Sequence, residues 1–286
     1  MRALPAGRWK VRAGRLAAMA LGYWQNPVCV AQLHDGTLLV LDPRSRTEGG
    51  AFWNGVYDRD LTEFLASCCE VYGDSYYDIG ANVGLIAIPL ARSISQRAAR
   101  ATVVAFEPVP ENYERLVESA RINGVSHVVD ARLVALGSEP GVLTLTREAG
   151  LHASTGNAVP AEVASVPGRS VAVAVRTLDS FWEDIPPPAV MKIDVEGLDV
   201  AVVRGSVSTI TASRPIIAGE FNNVLMPRLG FSFLDAAAIL TPLDYRYFSL
   251  DGGNRLVERL PTPDLGNVVA VPAEKVATLP SRVLTL

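Results

Sequence analysis

Lysine is nearly missing from this chain of 286 residues: Lys10, Lys192 and Lys275 are the only three. Arginine supplies the rest of the positive charge, and the 26 basic residues are outnumbered by 30 acidic ones, a formal net charge of -4. The basic surplus of a general nucleic-acid binder is therefore lacking. Cysteine is also scarce. Cys29, Cys68 and Cys69, the last two adjacent, make neither a disulfide framework nor a metal-ligand spacing, so a reduced, cytoplasmic setting is expected. No apolar run approaches the ~20 residues of a membrane helix. There is no internal repeat and no low-complexity tract. At 49% hydrophobic and 20% charged, the chain has the makings of a globule with a large core.

The N-terminus imitates a signal peptide. Arg2, Arg8, Lys10, Arg12 and Arg15 precede the apolar run 16–24. The charged part is long, Gly22 interrupts the run, and no small-x-small cleavage site follows. A basic amphipathic helix over residues 1–24 is expected instead, lying over a sheet or at a contact between subunits of a homo-oligomer.

Beyond it, the runs 27–33 and 37–41 flank His34-Asp35-Gly36, a strong hairpin signal. The aromatic, glycine-rich stretch 49–57 reads as a loop pinned by its rings, or as a lid over a cleft. A helix over 60–71 follows.

From Tyr76 onward, strands and helices alternate. Strands are expected at 76–79, 102–106, 131–135, 142–146, 171–175, 190–195, 216–220, 245–250 and 268–271. Helices are expected from Val83, over 110–123, from Leu198 and over 232–240. The helix 110–123 is well marked: Pro110 suits its first turn, Asn123-Gly124 end it, and Tyr113, Leu116, Val117 and Ala120 space out a buried stripe. Residues 147–169 read as loop. The alternation predicts an α/β fold, a mostly parallel sheet with helices on both faces and an antiparallel edge. Residues 1–70 are an extension of helix, hairpin and lid, and 71–286 the main domain.

Open α/β sheets bind ligands at the carboxyl ends of their strands. Four features fall there. Asp78-Ile-Gly-Ala-Asn-Val-Gly84 is a glycine turn between the first strand and helix, where Gly80 and Gly84 admit a close backbone. Glu107-Pro108 ends the second strand and offers carboxylate oxygens to both hydroxyls of a ribose. Ala135-Leu136-Gly137 can present backbone to an adenine. Lys192-Ile-Asp194-Val-Glu196-Gly197 ends the fourth main strand. Each acid taken singly is also explained as a helix cap. Their joint order favours a site.

The segments Asp-Ile-Gly-Ala-Asn-Val-Gly, Phe-Glu-Pro-Val-Pro-Glu-Asn and Met-Lys-Ile-Asp-Val-Glu-Gly resemble the FkbM family of S-adenosylmethionine-dependent methyltransferases. Arg176-Thr-Leu-Asp179 and Asn267-Val-Val-Ala-Val-Pro272 extend the likeness. It runs from Tyr76 to Pro272 and covers the first 70 residues only loosely. The resemblance implies a class I methyltransferase (Rossmann-like) fold, seven strands with the last reversed. It also implies methyl transfer, usually to a hydroxyl of a sugar, glycoside or other natural product. By position, Asp78, Gly80, Ala81, Asn82 and Gly84 would hold the methionine part of S-adenosyl-L-methionine. Glu107 and Pro108 would lie at the ribose, Ala135 and Leu136 near the adenine, and Asp194 and Glu196 at the reacting end. Pro89 departs from the family's smooth first helix and puts the line of that helix in question.

A sugar hydroxyl is a weak nucleophile, so a general base or a divalent metal should assist. Asp194 is the first candidate for base or metal ligand and Glu196 the second; Glu220, ending its own strand, can join them. Lys192, an ammonium in an apolar strand, needs a carboxylate partner, and the alternative is that it orients substrate or base. His152 is either a solvated loop histidine or a base reaching over the cleft. Trp53, Tyr57 and Trp182 offer rings for stacking on an acceptor or for packing.

Three other readings compete. A nicotinamide-dependent oxidoreductase expects G-x-G-x-x-G with an acid ~20 residues on, whereas Gly80 and Gly84 are separated by three residues and Glu107 comes later. An amino-directed nucleic-acid methyltransferase expects Asn/Asp-Pro-Pro-aromatic where this chain has Asp194-Val-Glu-Gly. A non-catalytic binding module on the same scaffold is the third. The acidic balance points to a small-molecule or saccharide acceptor, with no nucleic-acid partner and no membrane span.

Overall fold

The computed structural model describes residues 13–14, 28–73, 75–96, 102–148, 158–165, 168–250 and 255–280. The expected basic helix over 1–24, apart from residues 13–14, and the loop residue His152 lie outside them.

Strands β1 (Cys29–Gln32) and β2 (Leu38–Leu41) pair antiparallel across the Asp35-Gly36 turn. The stretch expected as loop is instead helix α1 (Arg46–Asn54). Its two glycines are outvoted by its ends: the Ser45 side chain accepts from Glu48 N, and Gly55, at φ 72°, closes the helix in the left-handed conformation. Helix α2 (Arg59–Tyr72) follows, capped by Asp58.

The first strand of the main sheet is β3 (Ser75–Ile79). Helix α3 (Ala87–Ser95) begins four residues later than Val83, after turns. Pro89 thereby falls in its first turn, where an N–H has no intrahelical partner to lose. Then come β4 (Thr102–Phe106), α4 (Pro110–Ile122) and β5 (Val129–Arg132). The buried stripe of α4 is Asn112, Leu116, Ser119 and Ala120, and Val117 is 41% exposed. The helix is rolled because β2 docks on it: Ser119 Oγ accepts from Val40 N at 3.1 Å, and Asn123 clasps both N–H and C=O of Leu38.

A second sheet interrupts the alternation. It comprises β6 (Ala135–Leu136), β7 (Gly141–Glu148), β8 (Ala158–Pro160) and β9 (Gly168–Arg176), in the order β6-β9-β7-β8. Part of the expected loop 147–169 is thus strand, drawn into register by the β7–β9 pairing.

The main sheet resumes with β10 (Val190–Ile193), helices α5 (Asp199–Arg204) and α6 (Val207–Ser213), and β11 (Ile216–Glu220). One helix was expected where α5 and α6 stand. They part at Gly205, whose backbone crosses so near Gly137 that a Cβ would lie 1.9 Å from its carbonyl oxygen. Asp179 restarts the chain by accepting from Ser208 N and Thr209 N. Helix α7 (Phe233–Leu240) opens with a Ser232–Asp235 capping box. Strands β12 (Tyr245–Leu250), β13 (Leu256–Arg259) and β14 (Asn267–Pro272) and the short α8 (Ala273–Val276) complete the described chain.

The main sheet runs β13-β12-β14-β11-β10-β3-β4-β5. The five strands from β11 to β5 are parallel, and β14 is inserted antiparallel between β11 and β12. That is the expected class I arrangement with one strand more than the seven foreseen, because β13 folds back on β12. Alternate residues face two separate cores. Tyr76, Val103 and Val190 enter one, and Tyr77, Val104 and Met191 enter the other. Both faces are covered by helices, which is what near-continuous apolar parallel strands require.

Candidate active site

The carboxyl ends of β3, β4 and β10 meet around one cleft with a free volume of about 870 Å³, open solvent included. Gly80 and Ala81 turn the chain there, both donating N–H to Phe106 O at 3.0 Å. Gly80, at φ +83°, cannot be replaced without conflict: a Cβ would lie 1.9 Å from the carbonyl oxygen of Asp194. The turn of β3 and the end of β10 are pressed together at this point. Gly84 differs. It does not line the cleft, and its missing Cβ makes room for Ile88 and Leu116, so its part is packing.

Two carboxylates are sunk into the floor. Asp78 faces Lys192 Nζ at 3.3 Å through Oδ1, while Oδ2 is buried with no hydrogen-bond partner among the described residues. Burial raises its pKa, opposed by the Lys192 ammonium. Glu107, 4% exposed, is held by three N–H donors: Asn82 N at 2.8 Å on Oε2, and Val109 N at 2.9 Å and Asn112 Nδ2 at 3.2 Å on Oε1. Burial outweighs those bonds and lifts its pKa to about 7. Next to it lie Pro108 and an apolar wall of Val134, Ala135, Leu136, Leu143 and Leu145, partly from the second sheet.

Lys192 is the hinge of the site. Only 7% exposed, it bridges Asp78 and, at 3.2 Å, Asp194 Oδ2. Burial by itself would lower its pKa, but the two carboxylates raise it on balance, so it is a fixed cation. Asp194 and Glu196 line the same cleft. Lys192 and Asp194 also line an adjoining hollow, together with Tyr57, Asp58, Asp60, Glu220 and Asn267. Glu220 belongs to this second hollow and does not line the first. Burial and the nearby Asp194 raise its pKa. Tyr57, from the N-terminal extension, lines both hollows.

Residues 78–247 match the FkbM methyltransferase domain. The chain belongs to the FkbM methyltransferase family. Methyltransferase 1 of Beauveria bassiana is 28% identical over 163 residues, 50% of this chain and 64% of that protein. A methyltransferase FkbM from Methylobacillus flagellatus aligns over 69% of this chain and 43% of its own, at 14% identity and a TM-score of 0.41. The Pyrococcus abyssi tRNA (uracil-54, C5)-methyltransferase, solved with S-adenosyl-L-homocysteine, aligns over 86% of this chain and 44% of its own, at 13% identity and a TM-score of 0.41. The chain thus spans less than two thirds of these relatives' lengths.

In this FkbM-family protein, Asn112 lines the first hollow and Asp58 and Asp60 the second without a role assigned from the sequence, and Asp199, which lines neither, braces the turn that carries Glu196. Asp199 is fully buried and its carboxylate accepts from Val195 N at 3.3 Å and Gly197 N at 3.2 Å. It ties down a turn in which Glu196 (φ 53°) and Gly197 (φ 96°) are both left-handed. Burial first, then Asp194, pushes its pKa to about 8. Its signal was an acid at the first position of α5, which reads as an ordinary dipole partner. Trp182 lines neither hollow and is exposed. Among the described residues, no group of three or more His, Cys, Asp or Glu is arranged to hold a metal ion. No described helix is long and apolar enough to cross a membrane.

Proposed function

We propose that this protein transfers a methyl group from S-adenosylmethionine to a hydroxyl of a sugar, glycoside or other natural product. The observation that carries it is the convergence of Asp78, Gly80, Glu107, Ala135 and Asp194 on one cleft, which shares Lys192 and Asp194 with a second hollow. The donor's chemical features find counterparts there. Asp78 Oδ2 is a buried acceptor suited to the methionine ammonium. Glu107 Oε2, which among the described residues accepts from Asn82 N alone, has a lone pair left for a ribose hydroxyl, and the wall from Val134 to Leu145 suits an adenine ring. The absence of a Cβ at Gly80 keeps the turn close to the end of β10.

When bound, the sulfonium supplies an electrophilic methyl group and a neutral thioether leaving group. The chain's work is alignment and proton removal. The acceptor enters the second hollow, with Tyr57 at the junction. Asp194, held by Lys192, orients the hydroxyl. Glu220, whose pKa burial and the nearby Asp194 raise, takes the hydroxyl proton as the oxygen bonds to the methyl carbon. Glu196 lines the first cleft, and His152 is outside the described residues. No step requires a metal, though Asp194 and Glu220 remain the pair to test for one. The carboxylates of the second hollow repel phosphate, which favours a small or saccharide acceptor over nucleic acid. In this reading, residues 71–286 form the catalytic domain, and the extension 1–70 adds Thr47 and Tyr57 to the cleft.

The test is calorimetric titration with S-adenosylhomocysteine and with NAD, followed by methyl-transfer assays on a panel of glycosides. Binding of NAD and not of the homocysteine compound would replace this reading by the oxidoreductase one. Binding of neither would favour a non-catalytic module.

A further inference from the structure

Asn112 stands where three parts of the molecule meet. It is a buried residue of α4, 3% exposed, and its amide touches Glu107 on one side and two arginines on the other. We propose that Asn112 is a positioning residue for Glu107, tying recognition of the donor's ribose to the N-terminal extension and to the second sheet. This rests on the reading of the cleft as the S-adenosylmethionine site.

An asparagine amide has an acceptor end and a donor end, and which is which follows from the partners. Here Oδ1 accepts from Arg115 Nη2 at 2.9 Å and from Arg147 Nη2. Turning the amide over would set its N–H against two guanidinium donors. The oxygen is therefore fixed on the arginine side, and Nδ2 must donate to Glu107 Oε1, at 3.2 Å. That bond favours the ionised, acceptor-only form of Glu107 and fixes its plane.

Each arginine is anchored in a different element. Arg115 Nη1 meets Glu48 Oε2 at 2.6 Å in a nearly buried pair, and the same oxygen accepts from Asp42 N at 2.7 Å. Glu48 belongs to α1, so the extension reaches Glu107 through Arg115 and Asn112. Arg147 belongs to β7, which also supplies Leu143 and Leu145 to the wall of the cleft. The groups that act on Glu107 from its surroundings are Asn82 N of the β3 turn, Val109 N, Asn112 of α4 and the Arg147 charge of β7.

The experiment is calorimetric titration of the full chain with S-adenosylhomocysteine between about pH 6 and about pH 9, bracketing the Glu107 midpoint. Asn112→Asp replaces the donor by a second carboxylate. Affinity at neutral pH should fall roughly 10- to 100-fold and the midpoint of the pH dependence should move up. Arg147→Met leaves the amide oriented by Arg115 but removes the cation whose charge acts on Glu107, so a several-fold loss with a smaller upward shift is expected. Glu48→Gln should weaken binding by a few-fold through a loosened Arg115. Unchanged affinity and midpoint in Asn112→Asp would overturn the proposal. Should that variant fail to fold, an unchanged midpoint in Arg147→Met does so instead. A wild-type chain that binds no S-adenosylhomocysteine at any pH brings down the donor reading itself, and this inference with it.

Discussion

The two hollows of the site are made differently. In the first, Asp78 and Glu107 are sunk below the surface and have their geometry set by named donors: Asp78 by Lys192, and Glu107 by Asn82, Val109 and Asn112. In the second, Asp58, Asp60 and Glu220 stand on the walls of a wider space, at the starts and ends of elements. Preorganised groups suit a ligand whose shape never varies, and the cost of burying them is met once, in folding. Looser, better-hydrated walls suit a partner that differs from one relative to the next. Lys192 and Asp194 belong to both and form the seam between them.

Cutting the seam should have the largest effect. Lys192→Met leaves the buried Asp78 and the half-buried Asp194 without their cation, and a loss of about 3–5 kcal/mol in unfolding free energy is expected by denaturant titration. A loss below ~1 kcal/mol would mean that the ammonium is not what joins the hollows. Glu220→Gln touches the second hollow alone. Turnover should fall roughly 100-fold with affinity for S-adenosylhomocysteine unchanged, and equal loss of both would erase the distinction between the hollows. Gly80→Ala strikes the first hollow through its backbone. Strain at φ +83° and collision with Asp194 should cost at least ~2 kcal/mol and weaken the donor, read as melting temperature and binding together.

The smallest effect is in the pH dependence. In the proposed reading Glu107 is ionised to accept from a ribose hydroxyl, so donor affinity should fall as pH drops through about 7. Glu107→Gln should flatten that profile and cost roughly tenfold at higher pH. Stability without ligand runs the other way. A carboxyl whose folded pKa is raised contributes most below its ordinary value, and the contribution is lost as pH rises through the folded one. For Glu107 the window runs from 4.5 to about 7, and for Asp199 from 3.8 to about 8. Ligand-free protein that becomes more stable across this interval would contradict both burial arguments.

The first hollow was the more legible half in the sequence. Its turn needs Gly80, its acids end apolar runs, and those are short-range patterns along a single strand and its loop. Asp78, Gly80, Ala81, Asn82, Glu107, Pro108, Ala135, Leu136, Asp194 and Glu196 all line the cleft, as do the ends of the elements predicted around them. Gly84 does not line the cleft, and a left-handed glycine looks alike in a sequence whether it clears space for a ligand or for Ile88 and Leu116. Helix α1 was hidden because Gly49-Gly50 lowers its propensity, while Ser45, Gly55 and the buried Glu48–Arg115 pair hold it. Of the second sheet, the strands 142–146 and 171–175 are legible in the sequence, whereas β8 and the outer ends of β7 and β9 fall in the Ser-, Gly- and Pro-rich stretch that reads as loop.

What the amino-acid order determined alone is the succession of strands and helices and the chemistry at each strand end. Periodicity, caps and turn residues act over a few positions and are written where they act. Only the tertiary structure decided which acids share a cavity, that Lys192 joins two of them, and that Glu48 reaches Glu107 through Arg115 and Asn112. Those contacts join residues far apart in the chain, and their energies depend on burial, which no local pattern records.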